Sequence, residues 1–333
     1  MRFRWGIVGY GWVARDHMTP GIQAAGHELA VIADTSASAR ARAGAAGVHA
    51  VAGTAELLEH RPDAIYVATP NHLHLQPVLE AASAGVPVLC EKPMAATLGQ
   101  AEEIATAAGR VLYGTAFDQR HHPAHRAIAA KIASGAVGQV TAIRISYACW
   151  LDPRWRPPGA DEDASNWRGD PQAAGGGAVI DLALHSLDLA QMLLGEPLVR
   201  LHIELQRRIH DYPVDDGGML CGRFASGALF ASHVAYNCPE PLPRRRLEII
   251  GDRGAILATD TMGQSAGGTV VLTCGQSGEE RAIPFDTALS PFTAQAAAFA
   301  DASRGQPHDF SLTRDLALMR LFAGAYERAS KCL

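Results

Sequence analysis

The chain lacks the features that would send it to a nucleic acid, a membrane or a disulfide scaffold. Its formal net charge is -5, which gives no basic footprint for nucleic acid. Two arginine clusters, Arg207-Arg208 and Arg244-Arg245-Arg246, are short and read as solvated strand ends. The six cysteines are scattered and form no C-x-x-C pair, so reduced thiols in a cytoplasm are the simplest account. No charge-free apolar stretch is long enough to span a bilayer. The N-terminus, MRFRW, runs at once into a glycine turn rather than an apolar leader. Neither a nucleic-acid nor a membrane partner is expected, and no internal repeat or low-complexity linker divides the chain. What remains is 333 residues of ordinary globular composition, enough for two domains.

The first third alternates strands with helices. Phe3 to Val8 reads as a buried strand, followed by Gly9-Tyr10-Gly11-Trp12-Val13-Ala14, which fits G-x-G-x-x-A. A helix with Ala14, His17, Met18 and Ile22 along one side should follow, then a second strand from Leu29 to Ala33, closed by Asp34. A glycine loop in this strand–helix–strand setting, with an acid at the second strand's end, predicts a dinucleotide site. The glycines let the backbone approach a pyrophosphate at the helix N-terminus. Asp34 would accept hydrogen bonds from the ribose hydroxyls and repel a 2′-phosphate, which favours NAD; Arg40 and Arg42 nearby leave NADP open. Further strands at 64–68, 86–89 and 111–115, with helices at 74–84 and 98–108, predict a parallel, doubly wound sheet that binds ligands at the carboxyl ends of its strands. Thr69-Pro70-Asn71 and Cys90-Glu91-Lys92-Pro93 fall just past strand ends, on the same rim as Gly9 and Gly11, with Lys92 on a stiff turn. His72 and His74 face different ways on a helix, and no ligand joins them at zinc-like spacing. No metal is proposed, and His74 is expected to cap or pack near the cofactor.

After Phe117 the pattern changes. A helix is expected from Pro123 to Ser134 and a long strand from Val140 to Trp150. The segment from Asp152 to Ala174 has no periodicity and contains Trp155, Trp167 and Arg168; long irregular loops are often functional. Strands at 199–205, 219–224, 228–235, 246–250, 255–258 and 270–273, joined by short turns, predict an antiparallel sheet. Helices at 292–303 and 312–330 close the chain. The reading is an α/β protein: a dinucleotide-binding domain over residues 1–118 and an α+β domain over 119–333 built on one open, mostly antiparallel sheet, its last helix able to pack back on the first domain. The open face predicts a homodimer or homotetramer through the sheet.

Between the two lies Gly175 to Gly195, GGGAVIDLALHSLDLAQMLLG. Asp181, His185 and Asp188 are spaced four and three apart, one face of a helix, while its other faces are apolar throughout. Such a helix is buried and carries ionisable groups inward, where they need partners or a job.

Taken together, the motifs resemble the glucose–fructose oxidoreductase, inositol dehydrogenase and rhizopine-catabolism (Gfo/Idh/MocA) family along almost the whole chain. The resemblance is carried by GYGWVA at 9–14, ATPNHLH at 68–74, CEKPMA at 90–95, NWRGDPQAAGGG at 166–177 and DLALHSLD at 181–188. It implies a Rossmann domain followed by a largely antiparallel α/β domain, with substrate and nicotinamide meeting between them. It also implies oxidation or reduction at a hydroxyl or carbonyl carbon of a sugar, cyclitol or related polyol. Lys92 matches the lysine of the family's E-K-P motif, and Asp181 and His185 its D-x-x-x-H motif; Ala183 stands where the family often has glycine. More loosely the chain looks like the family's anhydrosugar reductases, which prefer NADPH and lack an acid at the position of Asp34.

The expected chemistry follows. His185 would move the substrate proton, Lys92 would stabilise developing alkoxide, and Asp181 would bind a substrate hydroxyl. Trp167 and Arg168 would border the nicotinamide or substrate, Tyr147 and Tyr236 would line the substrate wall, and Asp188 would be structural, orienting His185 or capping a loop. The alternative is a dinucleotide-binding sensor or co-regulator of the same fold, without turnover.

Overall fold

The structure, a computed structural model, describes residues 2–157 and 166–333; residues 158–165 of the irregular loop lie outside the described residues. In the first domain six strands form one parallel sheet: β1 (Arg4–Val8), β2 (Glu28–Ala33), β3 (His49–Val51), β4 (Ala64–Val67), β5 (Val88–Glu91) and β6 (Tyr113–Ala116), in the order β3-β2-β1-β4-β5-β6. Helices cover both faces, so the inner strands are apolar without alternation; all four residues of β4 are buried. The strand order reverses between β1 and β4, which opens a crevice at their carboxyl ends. There Gly9 has a φ of +86°, and a β-carbon on it would come within 2.8 Å of the Ala68 backbone. Only glycine fits so close.

In the first domain three elements escape the sequence pattern: helices Ala37–Ala45 and Thr54–Glu59, and the strand β3 between them. The first helix buries only Ala39 and Ala43, and β3 is a three-residue edge strand with no buried position. Neither has enough apolar contrast to show a period.

The second sheet has eight strands: β7 (Val140–Ala148), β8 (Leu198–Gln206), β9 (Gly217–Phe224), β10 (Leu229–Ala235), β11 (Arg245–Gly251), β12 (Gly254–Thr259), β13 (Thr269–Cys274) and β14 (Glu280–Ala282), ordered β14-β13-β12-β11-β7-β10-β9-β8. Every pairing is antiparallel except β7 with β10. That parallel pair needs a crossover, and the helix Ala178–Leu194 supplies part of it. Fourteen of the seventeen residues of this helix are buried. By length and composition the helical run 171–194 could cross a membrane, but 83 % of its apolar window is buried inside the protein, as expected of a core helix.

The glycines before this helix bring it against the first domain. Gly175 has a φ of +83°, and a β-carbon there would meet the Ala96 carbonyl at 2.2 Å. The helix N-terminus is capped from a distance: Asp215 accepts from the N–H groups of Gly177 (3.1 Å) and Val179 (2.8 Å) and from the Tyr326 hydroxyl. Asp188 forms an ion pair with Arg120 at 2.7 Å, the two side chains 1 % and 7 % exposed.

The chain does not divide cleanly at residue 118. Helix Pro291–Ser303 puts Phe292, Ala296 and Phe299 into the core of the first domain with Trp5 and Met18. Helix Leu312–Ser330 straddles the two domains: Met319 packs under the first sheet, while Leu318 and Phe322 join the second domain's core. The second segment thus returns helix 291–303 to the core of the first domain, and its last helix packs on both domains.

Removing the Asp188 carboxylate would leave Arg120 buried, with Asp309, 41 % exposed, as its remaining ion-pair partner among the described residues. Asp188→Ala is expected to lower the unfolding free energy by about 3–5 kcal/mol, read as a fall in denaturant midpoint. A loss below about 1 kcal/mol, the size of a surface pair, would show that the pair is no structural tie.

Candidate active site

A cavity of about 850 Å³ runs along the carboxyl ends of the first sheet and is closed from the other side by the helix 178–194, β7 and the loop before Gly175. Its first end is the dinucleotide crevice, lined by Gly9, Tyr10, Gly11, Trp12, Val13, Asp34, Thr69, Pro70 and Asn71. The helix that follows the glycine loop begins at Trp12, so Gly11 precedes it with no side chain to cap it, and its first N–H groups are left for an anion. Asp34 accepts from the N–H of Tyr10 (2.7 Å) and of Ser36 (2.8 Å). It thereby ties the loop to the second strand, and each carboxylate oxygen keeps a lone pair for a ribose hydroxyl. Arg40, which might have turned to a phosphate, instead donates to the carbonyls of Asp34 and Thr35; Arg42 lines the cavity. These residues fit a dinucleotide.

At the other end Glu91, Lys92, Asp118, Tyr147, Trp167, Arg168, Asp181 and His185 come together. Lys92, ahead of a cis bond to Pro93, reaches across the domain boundary. Its ammonium donates to the Asp181 carbonyl at 2.8 Å and to the Asp181 carboxylate. The second carboxylate oxygen accepts from Tyr236 at 2.6 Å and lies 3.8 Å from Arg168. Burial alone would push the Asp181 carboxyl up, but Lys92, Arg168 and Tyr236 hold it far below the usual carboxylate range. Both oxygens of Asp181 are thus engaged by protein donors, and its first role is to fix Lys92. With two of its three N–H donors on Asp181, Lys92 keeps one for the cavity. Beneath it, Glu91 accepts from the Tyr66 hydroxyl, and burial raises the Glu91 carboxyl against the pull of Lys92.

His185 is 7 % exposed. Its Nδ1 stands 3.1 Å from Asp118 Oδ1, and among the described residues no hydrogen bond engages Nε2. Burial pushes the Asp118 carboxyl up, but His185, Gln119 and Lys92 together bring it below its ordinary value. Asp118 is therefore the carboxylate that faces His185, in place of Asp188, which is spent on Arg120. The sequence carried a signal for it: Asp118 lies just past the carboxyl end of β6, by the same rim rule that singled out Asn71 and Lys92. Arg168 lies over Trp167 at 4.6 Å and Trp155 at 5.6 Å, and Trp155 meets Trp12 of the glycine loop edge-on at 5.8 Å.

Two expected site residues stand elsewhere. His74 is fully buried, its ring nitrogens facing the carbonyls of Thr69 and Pro93, both at 3.0 Å, and burial holds it down to about 4. It pins two rim loops from behind and has no group left for a cofactor. Tyr236 is 1 % exposed and sits behind Asp181 rather than on the cavity wall. Asn71 lines the cavity, but its amide donates to the Ala174 carbonyl at 2.8 Å and joins the two domains. Among the described residues no group of His, Cys, Asp and Glu is arranged to hold a metal.

Comparison with known proteins agrees with this arrangement. Residues 3–111 match the family model described as "Oxidoreductase family, NAD-binding Rossmann fold", and residues 125–257 match "GFO/IDH/MocA C-terminal domain". The chain is 33 % identical over 300 residues to the 1,5-anhydro-D-fructose reductase of Ensifer adhaerens, covering 88 % of this chain and 86 % of that protein. In structure it resembles the aldose-aldose oxidoreductase of Caulobacter crescentus complexed with glycerol (TM-score 0.86, 23 % identity, 100 % and 99 % of the two chains). It equally resembles a levoglucosan dehydrogenase in complex with NADH and levoglucosan (TM-score 0.86, 22 % identity, 99 % and 98 % of the two chains). With both halves matched in order, and a crevice, lysine and histidine of the kind just described, the chain belongs to the GFO/IDH/MocA family of NAD-binding Rossmann oxidoreductases.

Proposed function

We propose that the protein transfers hydride between a nicotinamide dinucleotide, NAD in preference to NADP, and a hydroxyl or carbonyl carbon of a sugar, cyclitol or related polyol. The observation that carries this reading is the meeting of Lys92 and His185, each backed by a carboxylate, in the cavity that continues the dinucleotide crevice. The similarity to a sugar reductase over most of the chain supports the substrate class.

When bound, the dinucleotide supplies the hydride acceptor or donor at its nicotinamide ring. The chain's own residues handle the rest. In the oxidation direction His185 takes the substrate hydroxyl proton, with Nδ1 against Asp118 and Nε2 as the nitrogen left for substrate. Lys92 directs its remaining N–H at the same oxygen and stabilises the alkoxide as it forms. Asp181 holds Lys92 in place. Tyr147, edge-on to His185 at 5.8 Å, forms one wall, and Arg168 with Trp167 another. In the reduction direction the same groups return the proton. Strands β8 to β10 leave Val199, Met219 and Leu229 exposed, an apolar surface suited to a homo-oligomer through the second sheet.

His185→Ala should lower turnover of a sugar substrate by about 10²- to 10⁴-fold while leaving dinucleotide affinity, followed by tryptophan quenching, close to that of the parent. Near-normal turnover would remove His185 from the chemistry. Tight dinucleotide binding without nicotinamide absorbance change across a panel of sugars and cyclitols would instead favour a sensor.

Asp118→Asn removes the carboxylate that stands 3.1 Å from His185 Nδ1. It should lower kcat for a sugar substrate by about tenfold or more while leaving dinucleotide affinity unchanged, with Asp118→Glu recovering part of the loss. An unchanged kcat would mean that Asp118 serves structure alone.

Asp34→Ser should shift the ratio of NADP to NAD affinity toward NADP by about tenfold or more, the loss expected for charge-assisted hydrogen bonds to a diol. A parent protein that already prefers NADP would contradict the assigned role of Asp34.

A further inference from the structure

Arg244-Arg245-Arg246 is not the solvated strand end that its composition predicts. Arg244 faces Glu240 and Arg246 faces Glu248, both in the manner of surface pairs. Arg245 turns the other way. In the β7–β11 register it is opposite Tyr147, so the two side chains leave the sheet on the same side, and the guanidinium carbon of Arg245 lies 5.9 Å from the Tyr147 ring. Tyr147 in turn meets His185. Arg245 is thus one tyrosine ring away from the acid–base residue, on the cavity wall. On its other side it packs against Gly263, where a β-carbon would come 2.4 Å from Nη1; glycine there makes room for the guanidinium.

What sets Arg245 apart is its lack of a counter-charge among the described residues. Lys92 and Arg168 share Asp181, and His185 has Asp118. Among the described residues no carboxylate pairs with Arg245, and its Nε is buried without a hydrogen-bond acceptor. A guanidinium drawn part-way out of water with no counter-charge is costly to keep. Its fork of N–H donors, turned to a ligand cavity, matches the oxygens of a carboxylate or phosphate.

We infer that the physiological substrate is an anionic sugar, bearing a carboxylate or phosphate on the same carbon skeleton as the reacting carbon, and that Arg245 binds that group. The inference rests on the hydride-transfer reading above and narrows its substrate class. Two ring contacts, 5.9 Å and 5.8 Å, link Arg245 to His185 through Tyr147, so the anion belongs on the reacting sugar and not at the end of a long linker.

The test compares the D-gluco, D-galacto and D-manno uronates, and D-glucose 6-phosphate, with their neutral parent hexoses, using the full-length protein and added dinucleotide. At least one acidic sugar should exceed its parent in kcat/KM by roughly 30- to 100-fold, the value of a charge-assisted hydrogen-bonded pair. Arg245→Gln should erase most of that ratio and Arg245→Lys recover part of it. Uronates and the phosphate ester form separate arms, which tell a carboxylate site from a phosphate site. A ratio near one for every pair, or an Arg245→Gln variant that lowers acidic and neutral sugars alike, would overturn the inference. Calorimetric binding of the same sugars to the NADH complex gives a second readout that needs no turnover. Acidic sugars should bind more tightly than their parents, weaken with salt and lose that advantage in Arg245→Gln. Absence of turnover with every sugar would refute the hydride-transfer reading, while equal binding of acidic and neutral sugars would refute the anion site by itself.

Discussion

The contact between Lys92 and Asp181 is the one on which the rest of the site depends. It joins the end of a strand in the first domain to the first turn of a helix in the second, and both side chains are largely out of water. A buried ion pair gains little unless its remaining donors and acceptors are satisfied. Here the Asp181 carbonyl takes a second N–H of Lys92, Tyr236 donates to the far carboxylate oxygen, and Arg168 adds a further cation. The pair can form only because Gly175 lets the chain pass within contact of the Ala96 carbonyl and because Asp215 and Tyr326 fix the start of the helix. Backbone freedom at a glycine therefore has a chemical consequence 83 residues earlier in sequence, at the orientation of a lysine.

The same dependence explains why the first domain alone would not make a site. The sheet supplies a crevice, an uncapped helix start and a rim, but each rim group has its counterpart in the second domain. Asn71 is held by Ala174, Lys92 by Asp181, and Asp118 faces His185. Helix 312–330 then binds the domains together, with Met319 in a core of the first and Leu318 and Phe322 in the core of the second. Trp155 against Trp12 adds an aromatic contact over the glycine loop from the second domain's side.

Much of this was legible in the sequence because it depends on local pattern. The glycine loop, the acid after the second strand, the alternation of strands with helices and the rim positions of Asn71 and Lys92 all follow from short-range rules. What escaped depends on contacts between distant segments. His74 reads as a rim residue, yet both its nitrogens are taken by the carbonyls of Thr69 and Pro93. Tyr236 reads as a wall, but the carboxylate it serves stands between it and the cavity. The three adjacent arginines look alike in sequence, and only the sheet register separates Arg245 from its neighbours. The short helices around β3 have too little buried apolar surface to mark a period at all.

The polar stripe of the central helix shows how one local spacing is divided by its surroundings. Asp181, His185 and Asp188 share a face, one turn apart, and that face slides past the end of the first sheet. Asp181 meets the turn after β5, and the next two meet the short turn after β6. Within that turn Asp118 and Arg120 are two residues apart, and they face His185 and Asp188 respectively. The turn thus presents an anion to a histidine and a cation to an aspartate. Exchanging the two would set a carboxylate against buried Asp188 and take the facing carboxylate away from His185. The charge order of the turn therefore fixes the register of the helix against it, and that register sets where His185 and Lys92 converge. Asp188 and Arg120 touch no reacting group, but they are part of what determines the geometry of those that do.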